Sequence, residues 1–232
     1  MPASATPPPR TLAAMNDEHG PSRRRNRRGQ GALLRDDILT AATALIERDG
    51  HAGDVTLRRI AREAEITAPS IYAHFEDLAD ILDTVLNGYF DELRDTIVAA
   101  SEVESEANRA LLAGCRAYAH FALERPGRYR ALFNRLRPTI TGPAAPPPAP
   151  PPFPKRLDVF QTLIDAIAAT QTAGQSAGTD PYQDALAVWA ALHGAVLLHM
   201  TAPSFDSTKP VFDWPPLNEF IDTLVARTAR LI

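Results

Sequence analysis

The chain has 232 residues, 45% of them hydrophobic and 22% charged, and a formal net charge of -4. Those figures suit one moderate or two small soluble globular domains, and no apolar run approaches the roughly 18 residues of a bilayer span or forms a signal core behind the basic N-terminal stretch. The net charge does not exclude an anionic polymer as partner: up to Phe75 there are 11 Lys or Arg against 9 Asp or Glu, and from Glu76 onward 13 against 19, a basic front and an acidic remainder.

Residues 1–30 are rich in Pro, Ser, Arg and Gly with little to bury, so they are predicted to be a disordered basic arm. SRRRNRRGQG, Ser22–Gly31, carries five arginines, Arg27 and Arg28 among them, directly ahead of the first helix. From Leu33 the apolar spacing becomes helical, with Leu34, Ile38, Ala41, Ala42, Leu45 and Ile46 on one face and Gly50 as a stop. A short helix follows Thr56 and a second runs from Thr67 to about Phe75. A long one then runs from Asp77 to about Ala100. Further helices are predicted at 106–124, 127–136, 156–173, 181–200 and 216–231. Cys115, the only cysteine, excludes an intramolecular disulfide and fits a reducing cytoplasm. TGPAAPPPAPPPFPK, Thr141–Lys155, is too rich in proline for a helix and predicts an exposed polyproline-type loop over 138–154. No stretch alternates with period two, so the expected fold is all-α: a helix-turn-helix unit over 31–76, then a helical body over 77–232.

VTLRRIAREAEITAPSIYAHF, Val55–Phe75, has the layout of a helix-turn-helix. Thr56 and Thr67 stand where helix caps belong, and Pro69 falls in a first turn that needs no amide donor. Ile60, Ala61, Ile66, Ile71 and Phe75 are the inward set. Arg58, Arg59 and Arg62 are expected to project away, and Ser70, Tyr72 and His74 to offer hydrogen-bonding groups on the outer face. The pattern T-x-R-x-I-A-x-x-A-x-I-T-x-P-S-x-Y-x-H-F resembles the N-terminal domain of the tetracycline-repressor (TetR) family of bacterial regulators, over about Leu33 to Val85. That resemblance implies an all-helical homodimer that binds an operator in double-stranded DNA and a small-molecule effector. It makes Thr56 a phosphate contact and places Arg58 within reach of a base edge. Thr67, Pro69, Ser70, Tyr72 and His74 would then face the major groove or its phosphates. Two positions depart from the pattern. Leu78 stands where the family usually has a phosphate-binding Lys, and Ala73 is shorter than its usual counterparts. Glu76 and Asp77 suit the dipole of the helix that follows, while the arm with Arg27 and Arg28 is the expected offset to their charge.

In the remainder, Trp189, His193 and Gly194 resemble a W-x-x-x-H-G motif in one subgroup of the family's C-terminal domains. Candidate ligand-binding residues are Leu86, Tyr89, Phe90, Cys115, Tyr118, Phe121, Phe133, Trp189 and His193, mostly apolar or aromatic, which predicts a lipophilic, uncharged effector. A core Trp packed on a hydrogen-bonded His is the other reading of that pair. Helices 181–200 and 216–231 are the expected dimer face. No Gly-x-Ser-x-Gly, His-Glu-x-x-His, phosphate loop or cysteine cluster occurs, and the six His are scattered. No catalysis, cofactor or metal is therefore expected. The alternative reading is a helical small-molecule-binding protein that has lost specific DNA binding.

Overall fold

The computed structural model describes residues 31–49, 52–133, 154–201 and 215–232. The arm with Arg27 and Arg28, nearly all of the proline-rich loop, Gly50 and residues 134–136 of a predicted helix lie outside them. Among the described residues the elements are helices: α1 Gly31–Asp49, α2 Leu57–Glu63, α3 Ala68–Ile71, α4 Leu78–Glu102, α5 Ala107–Glu124, α6 Pro126–Phe133, α7 Pro154–Thr172, α8 Pro181–Thr201 and α9 Leu217–Thr228. A single antiparallel bridge, Ser176 to Leu231, is the one sheet-like pairing among them.

Several helix starts follow from proline. Pro126, Pro154 and Pro181 each occupy the first position of a helix, where the missing amide has no intrahelical partner to lose. This corrects the reading of Thr141–Lys155: its last two residues, Pro154 and Lys155, already belong to α7. Helix α4 starts from an acid instead. Asp77 Oδ1 accepts the Asp80 amide at 2.9 Å, and Asp80 Oδ2 accepts the Glu76 amide at 3.2 Å, a reciprocal cap.

The apolar faces read from spacing are the buried ones. Ile38, Ala41, Ala42, Leu45 and Ile46 of α1 close against Ile60, Ala61, Ile71 and Phe75, forming a small three-helix head. Helix α4 runs from that head into the body and packs against α5, α6 and α7. Helix α8 rests on α5, α7 and α9. Contrary to the sequence expectation, α8 is long and apolar enough, by length and composition, to cross a membrane. Its apolarity comes from packing on one side and a row of small residues on the other. Asp184 near its start is buried and accepts Gln171 Nε2 and Arg230, both at 3.0 Å.

Two helix ends share one geometry. After α2, Glu65 has a φ of 54° while the Ile66 amide reaches Ala61 O at 2.8 Å and the Glu65 amide reaches Arg62 O at 3.2 Å. After α9, Arg230 has a φ of 53° and the Leu231 amide reaches Ala226 O at 2.9 Å. These are left-handed closing turns of the kind usually given to Gly. In the first, the turn swings α3 across α2 and fixes the angle at which the second short helix is presented.

Candidate nucleic-acid interface and ligand cavity

The outer edge of the head is built by α2, the turn after it, and α3. Thr56 caps α2: its hydroxyl accepts the Arg59 amide at 3.3 Å. Thr67 occupies the cap position of α3 without making the expected cap bond. Its hydroxyl pairs instead with Ser70 Oγ at 2.7 Å, because the two side chains lie one turn apart on the same face. Helix α3 is also shorter than predicted. It ends at Ile71, and a turn closed by His74 and Phe75 amides on Ile71 O carries the remaining residues. Thr56, Arg58, Thr67, Pro69 and Tyr72 are exposed, Tyr72 at 61%, while Ser70 and His74 are half-buried. None of the seven turns into the core. Arg58 and Arg62 stay in solvent with no ion pair among the described residues. Arg59 does not project away as expected. It donates to Asp54 O at 2.7 Å and to the Asp49 carboxylate, tying α2 to the end of α1. Leu78 packs against the core rather than facing outward.

The body holds a half-open cavity of about 440 Å³ between α4, α5, α7 and α8, with Phe133 from α6. Of the residues named from sequence, Phe90, Cys115, Tyr118, Phe133 and Trp189 form its wall; Leu86, Tyr89, Phe121 and His193 do not. Each of these four has another place. Leu86 is 1% exposed in the core. Tyr89 lies under the Arg128 guanidinium at 5.3 Å, and Phe121 under that of Arg125 at 5.3 Å. Burial pushes the Tyr89 phenol up to about 12. His193 sits behind the wall: its Nδ1 is 2.6 Å from Tyr129 Oη and 3.1 Å from Tyr118 Oη, and the two phenols are 3.0 Å apart. Burial raises the pKa of Tyr129 far above its ordinary value, partly offset by the Tyr118 bond. With Nδ1 as the acceptor, one arrangement satisfies all three groups: Tyr129 donates to Nδ1 and Tyr118 donates to Tyr129. The histidine then carries its proton on Nε2.

Sequence reasoning missed much of the wall. Ile97, Ser101, Gly114, Leu157, Val159, Thr162, Ala166, Tyr182, Leu186 and Leu192 complete it alongside Leu111, Phe160 and Leu163. Gly114 had a signal in the small run Ala113-Gly114-Cys115. A Cβ there would stand 2.7 Å from Ser101 Oγ and 3.2 Å from an Ile97 methyl, so a larger residue would force those side chains to move. Two of the wall's hydroxyls are taken up by backbone carbonyls. Ser101 donates to Ala110 O and Thr162 to Asp158 O, each at 3.0 Å. Burial, with nearby Asp222 adding to it, pushes the Cys115 thiol up to about 12, so the cavity meets an apolar SH group. Among the described lining residues none is Lys, Arg, Asp or Glu, and among all the described residues no group of acids, His and Cys able to hold a metal ion occurs.

Two family models match this order of a helix-turn-helix head and a helical body. Residues 38–85 match the model of bacterial regulatory proteins of the tetR family, and residues 111–215 match a tetracyclin repressor-like C-terminal domain. The chain belongs to the TetR family. It is a DNA-binding transcriptional regulator, not an enzyme. An HTH-type transcriptional regulator of Mycobacterium tuberculosis is 29% identical over 192 residues, covering 78% of this chain and 77% of that one. Among solved structures, a Rhodococcus sp. RHA1 protein of unknown function superposes with a TM-score of 0.64 at 23% identity, over 85% of this chain and 94% of that one. SmeT, the repressor of the Stenotrophomonas maltophilia multidrug efflux pump SmeDEF, superposes with a TM-score of 0.58 at 19% identity, over 84% of this chain and 87% of that one. These two likenesses show a shared fold.

Proposed function

We propose that this TetR-family chain is a repressor: a homodimer that holds a palindromic operator and releases it when an uncharged, lipophilic small molecule fills the body cavity. The observation that carries this reading is the path of α4. It is capped by Asp77 directly behind the reading turn, and the same unbroken helix supplies Phe90, Ile97 and Ser101 to the cavity wall. Helix α6 gives a second link. Phe133 lines the cavity while Arg128 pairs with Glu47 of α1 at 2.6 Å and with Glu92 of α4. A ligand that displaces α4 or α6 therefore changes the attitude of the head, and the effect on DNA equals the ligand's preference for one arrangement over the other.

Reading the operator falls to Arg58, with Thr56, Thr67, Pro69, Ser70, Tyr72 and His74 positioning the edge, and with Arg27 and Arg28 of the arm following the backbone. The lining defines the effector class. An anion entering the cavity would lose water and meet no cationic side chain among the described lining residues, while the Ser101 and Thr162 hydroxyls already donate to backbone carbonyls. A neutral, largely apolar molecule meets no such penalty. SmeT, called a repressor of an efflux pump, supports the sign of regulation proposed here.

The dimer is assigned to α8 and α9. On the outer side of α8, Ala187, Ala190 and Leu198 are exposed, and a Cβ added at Gly194 would meet nothing within 4 Å. A smooth apolar strip of this kind fits the close approach of the same helix from a second copy. Two heads would then stand about 34–36 Å apart, one turn of duplex. The protein would act in the cytoplasm, with the DNA.

The test is selection of binding sites from random duplexes, then titration of the selected site with panels of neutral and anionic aromatic compounds. An inverted repeat released by neutral compounds is expected. Gly194→Leu should leave a folded monomer by sedimentation and abolish tight binding to the full repeat. Leu78 packed inward beside Glu76 and Asp77 favours a second reading, a helical ligand-binding protein without specific DNA contacts. Failure to enrich any sequence would establish that reading instead.

A further inference from the structure

The described head, residues 31–76, contains five arginines. Two are neutralised within it: Arg48 by Glu63 at 3.3 Å and Asp49 at 3.6 Å, and Arg59 by Asp49. Arg35, Arg58 and Arg62 are exposed and make no ion pair among the described residues. Arg35 differs from the other two in being held in place. Its guanidinium lies 4.9 Å from the centroid of the Phe75 ring. Phe75 is itself 3% exposed, with its amide bonded to Ile71 O at 3.1 Å, so the platform is rigid. A guanidinium laid over a ring keeps its planar set of N–H donors, and those not facing the ring remain available to an anion.

The position of this cation matters. Phe75 closes the reading turn that carries Ser70, Tyr72 and His74, and Glu76 and Asp77 follow it. Their negative charge opposes a duplex backbone at that end of the edge. Asp77 is engaged in capping α4, and Leu78 is packed inward, so neither supplies a donor to phosphate. Arg35 is the stacked, unpaired cation standing at that end. We infer that Arg35 is a phosphate clamp: it grips the DNA backbone as it leaves the reading turn and offsets Glu76 and Asp77. This rests on the assignment of the head's exposed edge to DNA.

The experiment uses the full chain and a duplex that the unaltered protein selects from a random pool. Binding is followed by fluorescence anisotropy between about 50 and 200 mM salt, where each lost phosphate contact lowers the slope of log K on log salt by about 0.9. Arg35→Gln should lower the slope by about 0.9 for each head engaged, weaken every bound sequence by the same factor and leave the base preferences intact. Arg35→Met, which still covers Phe75, should do the same and carries the test if the Gln variant folds poorly. Arg35→Lys should keep the slope. An unchanged slope in folded Gln and Met variants would overturn the clamp, and so would altered preference at a single base pair. Failure of the unaltered protein to select any sequence would remove the DNA assignment itself, a separate outcome.

Discussion

In the head, Arg35, Arg58 and Arg62 reach the surface without a carboxylate partner among the described residues, whereas in the body Tyr118, Tyr129 and His193 close on one another beside the cavity. Both regions are layers of helices with similar apolar faces, so the contrast lies in where hydrogen-bonding capacity is left open. The head leaves donors facing water, ready for a strongly acidic polymer. Beside the cavity the body turns several polar groups on one another: Ser101 and Thr162 donate to backbone carbonyls, and Tyr118 and Tyr129 bond to each other and to His193. On the function proposed above, polarity left open outside would select an anion, and an apolar lining inside would select a neutral guest.

The contrast predicts separable losses. The largest concerns the body's stability. Phe121, 1% exposed beneath Arg125, should cost about 3–5 kcal/mol when cut to Ala, seen as a lower denaturant midpoint. The base preferences of the remaining folded protein should not change. Arg58→Ala should do the reverse, weakening the selected site by about 1–3 kcal/mol and relaxing one base position, with the midpoint unmoved. Equal weakening on all sequences would make Arg58 a backbone contact instead. Tyr129→Phe removes the donor nearest His193 and should lower stability by about 1 kcal/mol, while Tyr118 remains within reach of Nδ1. Gly88 of α4 is exposed, and a Cβ added there meets nothing within 4 Å. Gly88→Ala should therefore raise stability by about 0.5–1 kcal/mol.

The last effect is absent at neutral pH. The Cys115 thiol, pushed up from 9.0 to about 12, keeps its proton in the fold after the unfolded chain's thiol has lost it. Its contribution is full below pH 9 and falls as pH rises toward 12, because the unfolded state then binds fewer protons. Cys115→Ala should flatten the fall in stability measured between about pH 8 and pH 10.5. Equal slopes in both proteins would show that the thiol ionises as readily folded as unfolded.

The helices and their buried faces were legible in the sequence because period 3.6 reports which side is apolar, and Thr56 and Asp77 marked two helix starts, whereas Pro154 was read as loop though it opens α7. Partners distant along the chain were not legible. Arg59 looks like its neighbours Arg58 and Arg62 until the end of α1 brings Asp49 to it. His193 could be seen beside Trp189, but not Tyr118 and Tyr129, which lie 75 and 64 residues earlier. Five of the nine ligand candidates fell on the cavity wall, because an aromatic residue that packs the core and one that lines a hollow have the same periodicity. Ser101, Gly114 and Thr162 were missed because small or hydroxylated residues inside a helix give no apolar signal. The shortness of α3 was hidden as well, since Tyr72, Ala73 and His74 continue a helical pattern that the backbone leaves at Ile71.

Trp189 forms part of the cavity wall, in ring contact with Phe160 at 6.0 Å and His193 at 5.8 Å. The chain's other tryptophan, Trp214, lies outside the described residues. With Trp214→Phe as background, the remaining indole's emission would follow occupancy of the hollow directly. The protein thus carries its own optical gauge, readable without a dye and without DNA, at the spot where a guest would dock.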